Sequence, residues 1–300
     1  MNPAMKKSPT LSILMPVYKR DCRRLLEELS KQAEGLSIGY EIILGDDCSG
    51  EPYTSRYIAY EQEGLCRLIS AEENMGAGRL RNRLAEEAQG EQLLILDSDT
   101  LPASPDFIER YLRHASDTAV VCGGFVYPPE STNPLRQRYG TEVESRSARE
   151  RARKPHSGFI SMAFMIPRTQ MLATGFPPNM GMGYEDILFG ERLRRAGIPI
   201  LHIDNPVEHY HCDTAEGFLA TTRSYLDNLY RHREELAELV SLLRAYNLLK
   251  RLHLVRLTAT LWPLFRSSLE KQLTGSKPSL LLFSLYKLLY VASLSSLRKH

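Results

Sequence analysis

The chain has 300 residues, 43% of them apolar and 25% charged, and a formal net charge of +2. That composition excludes wholesale disorder and leaves room for one large α/β domain with a helical appendage, or for two domains. The small total hides an asymmetry, because from Arg244 onward ten Lys/Arg accompany one acid, Glu270, a net of +9 that leaves −7 for the rest.

Cys22, Cys48, Cys66, Cys122 and Cys212 are scattered and odd in number, with no CxxC pair. This argues against a disulfide framework or a zinc site and fits a reducing compartment. The opening MNPAMKKSPT runs into a strand-like segment without an apolar core and cleavage site, so no secretory signal is expected and the expected location is cytoplasmic. The body lacks the run of about 20 uncharged apolar residues that spans a membrane, and the tail is the one membrane candidate.

In chain order, LSILMPV (Leu11 to Val17) predicts a strand and Asp21 to Ala33 an amphipathic helix with Leu25, Leu26 and Leu29 on one side. Strands are expected again at Tyr40 to Gly45 and Cys66 to Ser70, then a helix from Gly76 to Ala88 and a strand at Leu93 to Leu96. This β-α alternation within the first 100 residues predicts a mostly parallel sheet flanked by helices. Right-handed crossovers then bring Tyr18-Lys19-Arg20, Asp46-Asp47, Asn74 and Asp97-Ser98-Asp99 to one end of the sheet.

Beyond it, Ser104 to His114 reads as a helix, and Thr118 to Val126, Phe159 to Ile166 and Ile198 to Ile203 as strands. Residues 128–156 lose any apolar period and read as a long, partly helical, mobile excursion, either a solvated segment or a substrate lid. A glycine-rich loop, Gly175 to Gly183, leads to Tyr184-Glu185-Asp186 and a helix to about Ala196.

The strand at Leu93 to Leu96 ends in Asp97-Ser98-Asp99, where paired carboxylates suit a hard divalent cation as well as they suit a turn. Glu185 and Asp186 are either ordinary caps at a helix start or catalytic acids on a loop with freedom to close. His209 and His211 are read as alternating, so that only one of them is expected to point into a cleft. One imidazole beside Asp99 would suit Mn2+ better than Mg2+.

The stretches SILMPVYKR, EIILGDDCSG, NMGAGRLRNRLAEEAQGEQLLILDSDT, GMGYEDILFGERL and VEHYHCD, in this order, resemble family 2 glycosyltransferases of the GT-A fold. Within them the chain is most similar to bacterial enzymes that build chondroitin-type and capsular polysaccharides from UDP-sugars, over about residues 10–215. The resemblance implies that Pro16, Val17 and Tyr18 line the nucleotide pocket, with Asp47 reading uracil and Asp46 beside it. Arg79 or Arg81 would face the diphosphate, and Asn82 would be structural. Asp97 and Ser98 would lie near the ribose and metal, while Asp99 of this DxD motif would bind Mn2+ (or Mg2+) with His211. Glu185 would bind an acceptor hydroxyl and Asp186 would be the base. Ser161 stands where many relatives have Asn.

Residues 1–214 are thus expected to form the transferase domain and 215–300 a basic helical extension. The tail interleaves Leu248, Leu252, Leu257, Trp262 and Phe265 with Lys250, Arg251, Arg256 and Arg266, and ends in an apolar stretch broken by Lys287. It suits either an interfacial membrane helix or a packed helical subdomain. The expected function is metal-dependent, inverting transfer from a UDP-sugar to a glycan or glycolipid acceptor. The rivals are a nucleotidyltransferase and a catalytically silent glycan- or membrane-binding subunit. A nucleic-acid partner is not expected, because the basic tail is rich in leucine and lacks a reading motif.

Overall fold

A computed structural model describes residues 10–128, 133–210 and 214–297, with side chains to residue 295. The first elements are β1 (Leu11–Val17), α1 (Arg23–Glu34), β2 (Tyr40–Asp46), α2 (Tyr53–Gln62), β3 (Arg67–Ser70), α3 (Ala77–Glu87) and β4 (Gln92–Leu96). Their strands pair in parallel in the order β3-β2-β1-β4. Every residue of β1 is buried, as expected for a strand covered on both faces. Pro16 is tolerated there because the ladder to β4 ends at Leu14. No aliphatic period marks α2, which buries Tyr57 and Tyr60 instead.

The chain continues through β5 (Thr100–Pro102), α4 (Phe107–Arg113), β6 (Val120–Cys122) and β7 (Phe125–Val126). A single strand is expected over 118–126, yet Gly123 and Gly124 divide it. A Cβ at Gly123 would lie 2.2 Å from the Asn205 carbonyl, and Gly124, at φ +82°, packs against the Arg151 guanidinium. The backbone therefore leaves one sheet at β6 and enters another at β7.

Then come α5 (Pro134–Tyr139), a π-helical turn (Gly140–Glu144), α6 (Ala148–Arg151), β8 (Ala163–Pro167), α7 (Arg168–Thr174), α8 (Glu185–Arg195), β9 (Ile200–His202) and β10 (Val207–His209). The large sheet is completed as β4-β8-β6-β9, with β8 antiparallel to both neighbours. A second sheet, β5-β10-β7, pairs β10 antiparallel to β5. Beneath the large sheet Phe176 and Phe189 stack at 4.1 Å beside Phe159 and Phe164.

The elements around these sheets form one unit: the described residues to Val126, Arg146–Asn179 and Glu185–Tyr210. A second, helical unit takes Tyr127–Ser145, Met180–Tyr184 and the described residues from Thr214. The 128–156 stretch is thus shared between them, and its described part is partly helical.

The helical unit contains α5, α9 (Ala215–Arg231), α10 (Ser241–Arg251), α11 (Val255–Leu273) and α12 (Leu280–Leu297). Within the expected helical extension α9 ends at Arg231, and turns precede α10. Leu135, Leu219, Trp262, Leu269, Phe283, Tyr286 and Leu289 make its core. Lys287, central in the apolar run of α12, lies 4.6 Å from the Tyr139 ring and 4.5 Å from that of Phe283. Burial pulls its ammonium down to about 8. Among the described residues no helix is long and apolar enough to cross a membrane.

Candidate active site

The ends of β1 and β2 are shaped by their own backbone. Lys19 (φ +50°) and Cys48 (φ +61°) hold left-handed conformations, uncommon for residues with side chains and concentrated where function requires a fixed turn. The turns are locked together: Lys19 N–H donates to Ser49 Oγ at 2.8 Å, and Ser49 N–H donates to Asp46 Oδ1 at 2.9 Å. Of Pro16, Val17 and Tyr18, only Tyr18 is exposed.

Asp47 is buried, and both carboxylate oxygens are engaged, Oδ1 by Met75 N–H at 2.7 Å and Oδ2 by Gly76 N–H at 2.9 Å. It ties the lead-in of α3 to the end of β2. Asp47→Ala is expected to leave two backbone donors without their acceptor and to lower stability by about 1–3 kcal/mol. Thermal unfolding without nucleotide measures this directly.

From α3 the structure separates two arginines that the sequence leaves equivalent. Arg79 is exposed and lies 3.9 Å from Glu73, whereas Arg81 is fully buried. Arg81 Nη2 donates to Asp97 Oδ1 at 2.5 Å, and its Nη1 lies 3.6 Å from Glu185 Oε1. Its guanidinium also lies 5.0 Å from the Phe176 ring. Arg81 is therefore engaged by two carboxylates, whereas Arg79 is the exposed member of the pair. Asn82, one residue on, clamps Phe176 from both sides, donating to its carbonyl at 2.9 Å and accepting its N–H at 2.7 Å.

Glu185 and Asp186 open α8, where the helix dipole favours negative charge. Ile187 N–H donates to Asp186 Oδ1 at 2.8 Å. Burial first, and then the adjacent Glu185 carboxylate, push Asp186 up to about 7. A carboxyl with that affinity is poised to exchange a proton near neutral pH.

The turn after β4 carries Asp97, Ser98 and Asp99. Antiparallel register sets His209 opposite Thr100, and Tyr210 N–H donates to the Asp99 carbonyl at 2.9 Å. His209 Nε2 consequently lies 3.4 Å from Asp99 Oδ2, with Arg20 Nη2 at 3.5 Å from the same oxygen. Burial raises the Asp99 carboxyl, but His209 and Arg20 outweigh it and hold the group below its ordinary range.

A carboxylate oxygen and an imidazole nitrogen at one point are a donor set that fits Mn2+. Among the described residues no three His, Cys, Asp or Glu converge as a metal group. His211, the expected second ligand, lies outside the described residues. His209, the other of the two candidate histidines, is the one found beside Asp99 among the described residues. Two positions apart on a strand they would share a face, so alternation does not choose between them; β10 ends at His209.

A family model described as Glycosyl transferase family 2 matches residues 12–176, more than half of the chain. The chain belongs to glycosyl transferase family 2. Within that family it is 26% identical over 221 residues to EpsH of Bacillus subtilis (strain 168), which bears a glycosyltransferase name, covering 68% of this chain and 61% of EpsH. It is 28% identical over 141 residues to WcaA of Escherichia coli (strain K12), named for colanic acid biosynthesis, covering 44% of this chain and 50% of WcaA. The chain thus spans less than two thirds of these relatives' lengths. The mannosyltransferase PcManGT from Pyrobaculum calidifontis, solved with GDP-Man and Mn2+, shares the fold at a TM-score of 0.57 and 18% identity. The superposition covers 98% of this family 2 chain and 88% of PcManGT, which supports the GT-A assignment.

Proposed function

We propose that this family 2 protein is a metal-dependent, inverting hexosyltransferase that moves sugar from a UDP-sugar to a glycan or lipid-linked acceptor in polysaccharide synthesis. One observation carries the reading. Buried Arg81 joins the Asp97-Ser98-Asp99 turn to Glu185, beside an Asp186 whose proton affinity is tuned to neutral pH. The names of EpsH and WcaA support a role in sugar transfer for polysaccharide, and the Mn2+ in the PcManGT complex supports a metal. The choice of UDP rests on the motif resemblance.

In this mechanism Asp99 would hold Mn2+, with the imidazole of His211 as the second ligand, while His209 and Arg20 orient the Asp99 carboxylate. The ion, when bound, supplies Lewis-acid neutralisation of the diphosphate leaving group. Tyr18 and the turn braced by Asp46 and Asp47 flank the nucleobase, Ser98 and Asp97 face the ribose, and Arg79 approaches the diphosphate. Glu185 orients the acceptor hydroxyl by accepting a hydrogen bond. Asp186 takes that hydroxyl's proton on Oδ2 as the oxygen attacks the anomeric carbon from the face opposite the diphosphate. A single base and one displacement through an oxocarbenium-like state give inversion. The helical unit would hold the protein peripherally on the cytoplasmic face of the cell membrane.

The test is thermal unfolding with UDP- and GDP-sugars, with and without Mn2+. Saturation near 100 times Kd is expected to stabilise the wild-type chain by about 2.7 kcal/mol with UDP-sugar plus Mn2+. Asp99→Asn is expected to lose most of that gain, measured against its own unfolding without nucleotide and metal. Stabilisation by GDP-sugars but not UDP-sugars would overturn the donor assignment, and equal response without metal would overturn metal dependence.

A further inference from the structure

The helical unit contains a helix that is apolar on two opposite sides. One side of α11 buries Ala259, Trp262, Leu269 and Leu273 against the unit's own core. Away from that core Leu257, Leu264 and Phe265, at i, i+7 and i+8, lie along one helical stripe and are 61%, 73% and 51% exposed. Leu248 near the end of α10, and Leu252 and Leu254 in the turn entering α11, are also exposed. Scattered single leucines on a surface are ordinary, but six large apolar side chains on one helix and its lead-in form a docking surface.

Charge identifies what it docks on. Between Glu238 and Glu270 the chain has five bases, Arg244, Lys250, Arg251, Arg256 and Arg266, and no acid. Arg266 pairs with Glu270, but Lys250, Arg251 and Arg256 make no ion pair among the described residues. A second copy of this chain is a poor occupant, since a two-fold contact would lay the same unneutralised cations against one another. A sheet of anionic headgroups over acyl chains satisfies both halves of the patch at once.

We propose that the 248–265 corner, formed by the end of α10, the turn at His253 and the outer stripe of α11, seats this protein on an anionic phospholipid surface. This deepens the peripheral-membrane part of the proposed function and needs none of its chemistry. It also moves the contact away from the most apolar segment of the tail. α12 spends Phe283, Tyr286, Leu289, Val291 and Ala292 on internal packing, so mean hydropathy alone selects the wrong helix.

The full chain is tested by co-sedimentation with vesicles of phosphatidylcholine containing about one third phosphatidylglycerol, and with pure phosphatidylcholine. Binding is expected to be at least about tenfold tighter to the anionic vesicles and to weaken as salt rises. Leu264→Ser combined with Phe265→Ser, and Lys250→Glu combined with Arg251→Glu, are each expected to lower it about tenfold or more. Leu281→Ser, exposed on α12, is the control expected to bind as wild type. Both double variants alter exposed positions, and a thermal unfolding midpoint matching that of wild type without nucleotide reports that they fold. Equal binding to both vesicle types would overturn the proposal. So would a wild-type dimer that binds no vesicles and is dissociated by the Leu264→Ser and Phe265→Ser pair. Vesicle binding without any nucleotide response would leave this inference standing and sink the transferase reading instead.

Discussion

Asp186→Asn is expected to reduce sugar transfer by about 10²–10⁴-fold, the contribution typical of a positioned general base, while leaving stabilisation by UDP and Mn2+ intact. The change keeps the side chain's size and removes the proton-accepting charge. In the wild-type protein transfer should rise with pH as Asp186 loses its proton near pH about 7. The same shift has a stability consequence whose sign is opposite to that of an ordinary paired carboxylate. Burial and Glu185 raise the folded-state affinity above the unfolded one, so between about pH 4 and 7 the folded chain holds the extra proton. Stability from this group is therefore present below that window and declines as pH rises through it. The Asn variant lacks the decline, and at pH 8 it should exceed the wild type by on the order of 4 kcal/mol, with little difference near pH 4. Paired transfer assays and thermal unfolding at both pH values check this, and near-normal transfer by the variant would remove Asp186 from the mechanism.

The largest loss of stability is expected from Arg81→Met. Arg81 is 2% exposed and stands between Asp97 and Glu185, so a neutral replacement of similar length leaves two carboxylates facing one another without their cation. Breaking a buried pair by removing one partner costs about 3–5 kcal/mol. Arg81→Lys restores charge but not the fork that reaches both acids, and should recover only part of the loss. Arg79→Met, at an exposed position two residues earlier, should stay within about 0.5 kcal/mol of wild type. The Arg81 guanidinium also lowers the proton affinity of Asp186, so any folded Arg81→Met enzyme should need a higher pH for half-maximal transfer. Urea unfolding together with the pH profile separates the structural effect from the electrostatic one.

Several of the carboxylates follow directly from local pattern. Asp46, Asp47 and Asp97 each follow a short apolar run, and a parallel sheet must deliver the ends of such runs to one edge. Glu185 and Asp186 follow a glycine-rich loop and open an amphipathic helix, which is equally local. Local pattern reports a residue's own surroundings but says nothing about which distant group it meets. That is why Arg79 and Arg81 are alternatives in the sequence: helical geometry turns one outward and one into the core, and only packing against Phe176 and Asp97 shows which. The β5 to β10 register, joining positions more than 100 residues apart, likewise brings His209 to Asp99.

The sequence by itself determined the alternating α/β order, the acids at the strand ends and the basic, leucine-rich tail, because each is written in spacing and composition over a few residues. Only the tertiary structure decided the antiparallel insertion of β8, the division of 118–126 between two sheets, the commitment of Arg81, and the burial of α12 in place of the outer stripe of α11. The physical reason is that an apolar residue seeks any apolar partner and a charge any counter-charge. Which partner each obtains is settled by register and packing between segments far apart in the chain.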